Sequence, residues 1–141
     1  MTVRAILSGK DGAVTSISPD ATVADAVKLL ATHRIGAVPV TDANGVVGIF
    51  SERDVIYGLE REGAAALDKK VGDVMTSPAL TVDPDAPVMS ALSMMSRRRI
   101  RHLPVVEGGA MVGFVSIGDL VKHRIDKIES EAAALRDYIA S

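Results

Sequence analysis

Apolar residues recur along this chain in two alternating rhythms. Val23, Ala26, Val27 and Leu30 keep the three-and-four spacing of one helix face, and Val88, Leu92 and Met95 repeat it further on. Before each helix lies a short β-branched or apolar run, "VTSIS" and then "ALTV". These runs stop at Pro19 and Pro84, as strands do. After each helix the period shortens to that of a strand–turn–strand unit, "AVPV", "DANG", "VVGIF" and later "HLPVV", "EGGA", "MVGFV". A second helix is expected to start near Ser51 and again near Ser116. Thr22 and Asp25 stand at capping-box spacing, and Pro87 suits a first helical turn.

The order of elements therefore occurs twice, and so do the residues. "RIGAVPV" (34–40) matches "RIRHLPV" (99–105), "SPDATV" (18–23) matches "DPDAPV" (83–88), and "GIFSERD" (48–54) matches "GFVSIGD" (113–119), all at one offset of 65. Three motifs in one register without a gap mark an internal duplication. "VRAIL" (3–7) echoes "VGDVM" (71–75) at an offset of 68, so the flanks agree more loosely than the core. The expected fold class is α+β: two tandem β-α-β-β-α modules packed about a pseudo-twofold axis. Residues 1–65 form the first repeat with its N-terminal flank, 66–122 the second, and 123–141 a C-terminal amphipathic helix. "EREGAAALDKK" (60–70) reads as the link between copies, a frayed helix end. A pseudo-twofold pairing creates two equivalent clefts between the copies, where small ligands bind.

In the tail Val121, Ile125, Ile128, Ala132, Leu135 and Ile139 recur at heptad a and d spacing. Such a stripe either folds back on its own module or forms a seam with a second copy.

Composition narrows the chemistry. Hydrophobic residues are 48% and charged residues 24%, ordinary for a globular protein, and a chain of 141 residues can bury a sizeable core unaided. The formal net charge of −2 and an aromatic content of 3% argue against a nucleic-acid partner, which wants a basic face or stacking rings. Cysteine is absent, which removes disulfides, thiolate metal sites and thiol nucleophiles. The three histidines lie far apart in the pattern, so no metal is expected. No run is long enough to span a membrane and the N-terminus lacks an apolar signal region, so a cytoplasmic location is expected.

Each copy ends its second hairpin strand with Gly–apolar–apolar–Ser–x–x–Asp. One reading is a capping box, with Ser51 and Ser116 capping and Asp54 and Asp119 reaching back. The other is a ligand site. Helix-start N–H groups favour an anion, and a carboxylate one turn on can accept both hydroxyls of a ribose diol. Gly48 and Gly113 would then let a ligand approach the backbone. The residues alone leave both readings open.

Taken together, the doubled "h-P-V" and Gly-h-h-Ser-x-x-Asp motifs resemble a tandem pair of CBS domains (named after cystathionine β-synthase), a Bateman module, over roughly residues 10–122. The resemblance implies an adenine-nucleotide-binding regulatory module for AMP, ADP, ATP, NAD(H) or S-adenosylmethionine, commonly a homodimer, signalling to a separate partner protein. It implies ribose contacts from Asp54 and Asp119, with Ser51 and Ser116 beside ribose or phosphate. Adenine would be lined by Ile17, Val38, Pro39, Val82, Leu103 and Pro104.

The copies differ just before "h-P": Gly36 and Ala37 in the first, Arg101 and His102 in the second. The resemblance makes Arg101 and His102 phosphate donors, and a guanidinium can grip a phosphate with two parallel bonds. Arg98 and Arg53 are further phosphate candidates. Arg97 and Arg98 equally suit a helix C-terminus facing solvent, and Arg53 an exposed first turn. Arg99 aligns with Arg34, which points to a shared structural task. With no evident base for either serine and no phosphate-binding GxxxxGK[ST] loop, an enzyme is not expected. The competing reading is a structural dimerisation or adaptor protein whose clefts stay empty.

Overall fold

The computed structural model describes residues 1–10 and 14–141. Helix α1 (Val3–Ser8) is followed by α2 (Val23–His33), the hairpin β1 (Ala37–Asp42) and β2 (Gly45–Ser51), and α3 (Glu52–Glu62). A 3₁₀ turn (Gly63–Asp68) and the short α4 (Val71–Val74) lead into the second copy. It comprises α5 (Val88–Arg98), the hairpin β3 (His102–Glu107) and β4 (Ala110–Ser116), and the long α6 (Ile117–Ala140).

The duplication is visible down to the backbone irregularities. Both hairpins are antiparallel, and each carries a bulge at the same place, Val40/Thr41 and Val105/Val106. Both first helices end in a left-handed residue, Arg34 at φ 52° and Arg99 at φ 54°, which turns the chain into the next strand. That is the task the two arginines share. Thr22 makes the expected capping box, its hydroxyl accepting from the Asp25 N–H at 3.1 Å. Pro87 lies one position earlier than expected, at the N-cap of α5 rather than in its first turn. Among the described residues no helix is long and apolar enough to cross a membrane.

The expected leading strands "VTSIS" and "ALTV" shrink to a single bridging residue each. Ile17 donates to Pro39 O and accepts from Thr41 N, at 3.1 and 2.9 Å, and Val82 does the same between Pro104 and Val106. Flanking prolines and turns leave no room for a longer ladder. Each sheet is thus a two-stranded hairpin with one parallel residue at its edge. The link 60–70 is ordered rather than frayed, because Ala66 is buried beneath α3.

Each core is completed by a segment from outside its own repeat. Val3 and Ile6 of α1 are buried with Val82, Val88, Met95, Leu103, Val115 and Leu120 of the second copy. Val71 of α4 joins Val23, Leu30, Val38, Val40 and Phe50 of the first. Backbone bonds fix the exchange: Val3 N to Ala86 O and Arg4 N to Pro84 O on one side, Val71 N to Ala21 O and Val23 N to Lys69 O on the other, all 2.8–2.9 Å. The division at 65/66 follows the repeat, whereas the packing of the flanks crosses it.

The exchanged flanks also explain two glycines. A Cβ on Gly48 would lie 2.6 Å from Met75 Sδ and 2.8 Å from Thr76 O, and a Cβ on Gly113 would run into the Leu7 side chain. The flanks pack closely on both glycines, and Gly113 together with Leu7 still borders an open cleft. Strands β2 and β4 approach each other, and the hairpin turns meet where Gly45 faces the Gly109 carbonyl.

Candidate functional site

Two clefts lie between the copies, one at each strand-to-helix turn. The first, about 280 Å³, is lined by Ser51, Arg53 and Asp54 of copy one and by Arg99, Ile100, Arg101 and His102 of copy two. The second, about 420 Å³, is lined by Phe114, Ser116 and Asp119 of copy two, by Thr15, Ile35 and Ala37 of copy one, and by Lys10 from the N-terminal flank. Each cleft therefore takes its acidic turn from one copy and a facing wall from the other. The left-handed caps at Arg34 and Arg99 deliver those walls, since residues 35–37 and 100–102 follow them directly.

The Ser-x-x-Asp geometry is local and reciprocal. Ser51 N donates to Asp54 Oδ2 at 2.9 Å, and Ser116 N to Asp119 Oδ2 at 2.9 Å. Both serines form a capping box with their aspartate; Ser116 Oγ accepts from Asp119 N at 3.1 Å, and the Ser51 hydroxyl also donates to the Asp54 carboxylate at 3.3 Å. Lys10 Nζ donates to Asp119 Oδ2 and to the Phe114 carbonyl, both at 2.8 Å. Every bond that reaches either carboxylate falls on Oδ2, so Oδ1 of each aspartate has no protein partner among the described residues. The first N–H of each helix is already used, Glu52 N by Gly36 O and Ile117 N by Arg101 O. An anion at either helix start would have to rely on later N–H groups and on side chains.

These surroundings split the two carboxyls. Burial pushes the Asp54 carboxyl above its ordinary range, outweighing the Ser51 hydrogen bonds and the charge of Arg53. Burial acts on Asp119 too, but the Lys10 hydrogen bond and charge and the Ser116 bonds together bring it below that range.

His102 lines both clefts. Its ring stacks on Phe114 at 5.5 Å between centroids with planes 12° apart. Burial lowers its pKa against the pull of Asp119 and Glu52, with Lys10 and Arg101 adding to the lowering, so the ring is neutral at neutral pH. In its neutral form it can donate one hydrogen bond to a ligand.

Arg53 and Arg101 sit in the first cleft, as expected. Arg98 lines neither cleft; it lies exposed in the last turn of α5, where its charge complements the helix end. The six residues expected to line adenine, Ile17, Val38, Pro39, Val82, Leu103 and Pro104, are all buried and none lines either cleft. The backbone groups of Ile17 and Val82 are consumed by their bridges. The apolar walls come instead from Ile35, Ala37 and Phe114 in the second cleft and Ile49 and Ile100 in the first. Sequence reasoning missed Lys10, which lies 109 residues from its partner, and also Arg99 and Glu52. Among the described residues no group of three His, Asp or Glu could hold a metal ion.

Comparison with known proteins accords with this architecture. The family model of the CBS domain matches residues 11–61 and 71–126. The mitochondrial CBS domain-containing protein CBSX3 of Arabidopsis thaliana is 37% identical over 92% of this chain, which spans 65% of that relative's length. A CBS-domain containing protein from Agrobacterium tumefaciens superposes with a TM-score of 0.83 at 38% identity, covering 88% of this chain and 99% of that one. The CBS domain pair of protein MJ0100, solved in complex with 5′-methylthioadenosine and S-adenosyl-L-methionine, has a TM-score of 0.79 at 26% identity, covering 90% and 98%. With two family matches that coincide with the two structural copies, the chain belongs to the CBS domain family, as a tandem pair.

Proposed function

We propose that the pair is a regulatory sensor of adenosine-containing ligands rather than an enzyme. The observation that carries this reading is the construction of the clefts: each joins the acidic turn of one copy to the strand entrance of the other, with a carboxylate Oδ1 unpaired. Ribose hydroxyls are donors suited to that oxygen, and the small apolar walls beside it suit a base. The adenosine ligands in the MJ0100 complex support the same chemistry here. Arg53, Arg99 and Arg101 gather around the first cleft and favour a phosphorylated ligand there, of the AMP, ADP, ATP or NAD(H) kind. A ligand touching both copies binds their closed arrangement best and so shifts its population, which a separate partner protein reads.

Self-association completes the reading. Beyond its first turns α6 leaves Val121, Ile125, Ile128, Leu135 and Ile139 exposed, the stripe that a second copy would cover. The cysteine-free composition suits a reducing compartment such as the cytoplasm.

A thermal-shift series with adenosine, AMP, ADP, ATP, NAD(H) and S-adenosylmethionine tests the proposal, since a bound ligand raises the melting temperature by mass action. At least one should stabilise the wild type, and less so after Asp54→Ala or Asp119→Ala. Stabilisation by none of them would leave the adaptor reading, in which the serines and aspartates only cap.

A further inference from the structure

The two Ser-x-x-Asp turns are sequence twins with different electrostatic partners. Asp54 has only the main chain and rotatable hydroxyl of Ser51 on its Oδ2 and no ion pair among the described residues. Asp119 has an ammonium there, and the pair is partly sheltered, with side-chain exposures of 42% for Lys10 and 29% for Asp119. The flank offset of 68 sets Pro78 against Lys10, so the linker supplies no amine to the first cleft.

We propose that Lys10 is an internal competitor for the second cleft, a positioning residue that makes the first cleft fill before the second. This rests on the adenosine-ligand reading above. A diol that engages both oxygens of a carboxylate must take Oδ2 as well as Oδ1. In the first cleft it displaces a hydroxyl that swings aside by one bond rotation. In the second it must break an ion pair and strip the Phe114 carbonyl of its donor. A half-exposed ion pair and one hydrogen bond together weaken binding there by roughly three- to tenfold. Occupation of the second cleft also releases the end of the flank whose Val3 and Ile6 complete the second core.

Adenosine makes a clean probe because it carries no charge. Any salt dependence of its binding then reports an ion pair that it breaks. The test is calorimetric titration with adenosine in an Asp54→Ala background, which isolates the second cleft, with and without Lys10→Met, at low and high salt. Methionine keeps the stem and removes the ammonium. With Lys10 present, affinity should rise with salt. With Lys10→Met it should be three- to tenfold tighter at low salt and flat with salt. Binding that appears only after Lys10→Met supports the same conclusion. Unchanged or weaker affinity in Lys10→Met, or no salt dependence with Lys10 in place, overturns the competitor role while leaving the sensor intact. The salt series needs no variant at Lys10, so it stands even if Lys10→Met melts early. Absence of adenosine binding from every form overturns the competitor, and if the nucleotide series is also silent the sensor falls with it.

Discussion

Gly48→Ala tests whether the flanks or a ligand dictate this glycine. The added methyl would sit 2.6 Å from Met75 Sδ and 2.8 Å from Thr76 O. The sulfur can move, but Thr76 is bonded both ways to Ile49, N to O at 2.9 Å and O to N at 3.0 Å, so its carbonyl cannot yield without opening that bridge. Overpacking of this kind costs about 1–3 kcal/mol. Gly48 has no positive φ. Alanine there recovers about 0.4–1 kcal/mol by restricting the unfolded chain. The net loss is about 1–2 kcal/mol, a fall of about 3–8 °C in Tm for a chain of this size. Gly113→Ala meets Leu7, a side chain alone, so Leu7→Ala should restore most of what Gly113→Ala loses. Urea denaturation of the single and double variants reads both effects. If Gly48→Ala is as stable as the wild type yet loses ligand affinity, the glycine serves a ligand and the packing account is wrong.

Asp54→Asn and Asp119→Asn should move stability in opposite directions at neutral pH. A raised folded pKa at Asp54 means its ionised form costs stability above that pKa, so Asp54→Asn is neutral or stabilising there. A lowered pKa at Asp119 means stability present at neutral pH and lost as pH falls through its folded value. The deficit of Asp119→Asn should therefore vanish in acid. Melting curves across pH check both signs. Arg101→Met should weaken ATP about tenfold or more and leave adenosine nearly unchanged, since a charge-assisted bond contributes about 1.5–3 kcal/mol; parallel titrations decide it. Ile125→Glu with Leu135→Glu should lower the sedimentation coefficient of the protein with its fold intact, because both side chains are exposed within the chain, at 49% and 59%.

Where residues act on near neighbours, the sequence was informative. The helices at Val23 and Val88, the hairpins, and the paired turns at Ser51 and Ser116 are local patterns repeated at a fixed offset, and all of them form. Contacts that close over long stretches of chain left no such trace. Nothing near Lys10 announces Asp119, and nothing near Val3 announces Leu103. The residues expected to line adenine are core positions first: Val38 and Leu103 are fully buried, and Ile17 and Val82 spend their backbone groups on the bridges, which a pattern of apolar residues does not reveal. Arg98 and Arg101 are separated by the left-handed turn at Arg99, which sends one to solvent and the other into a cleft. A count of arginines could not distinguish them.

The crossing of the flanks determines how this chain can be divided. A cut at the repeat boundary would yield a first piece lacking Val71 and carrying an idle α1, and a second piece with an uncovered Met95 and Leu103. The self-sufficient halves are instead residues 14–76, and α1 rejoined to 77–141. A circularly permuted gene that opens the chain after Lys10 and fuses the old termini would therefore encode the two units in series, whereas in the natural order the first unit is contiguous and the second must join the two ends of the polypeptide.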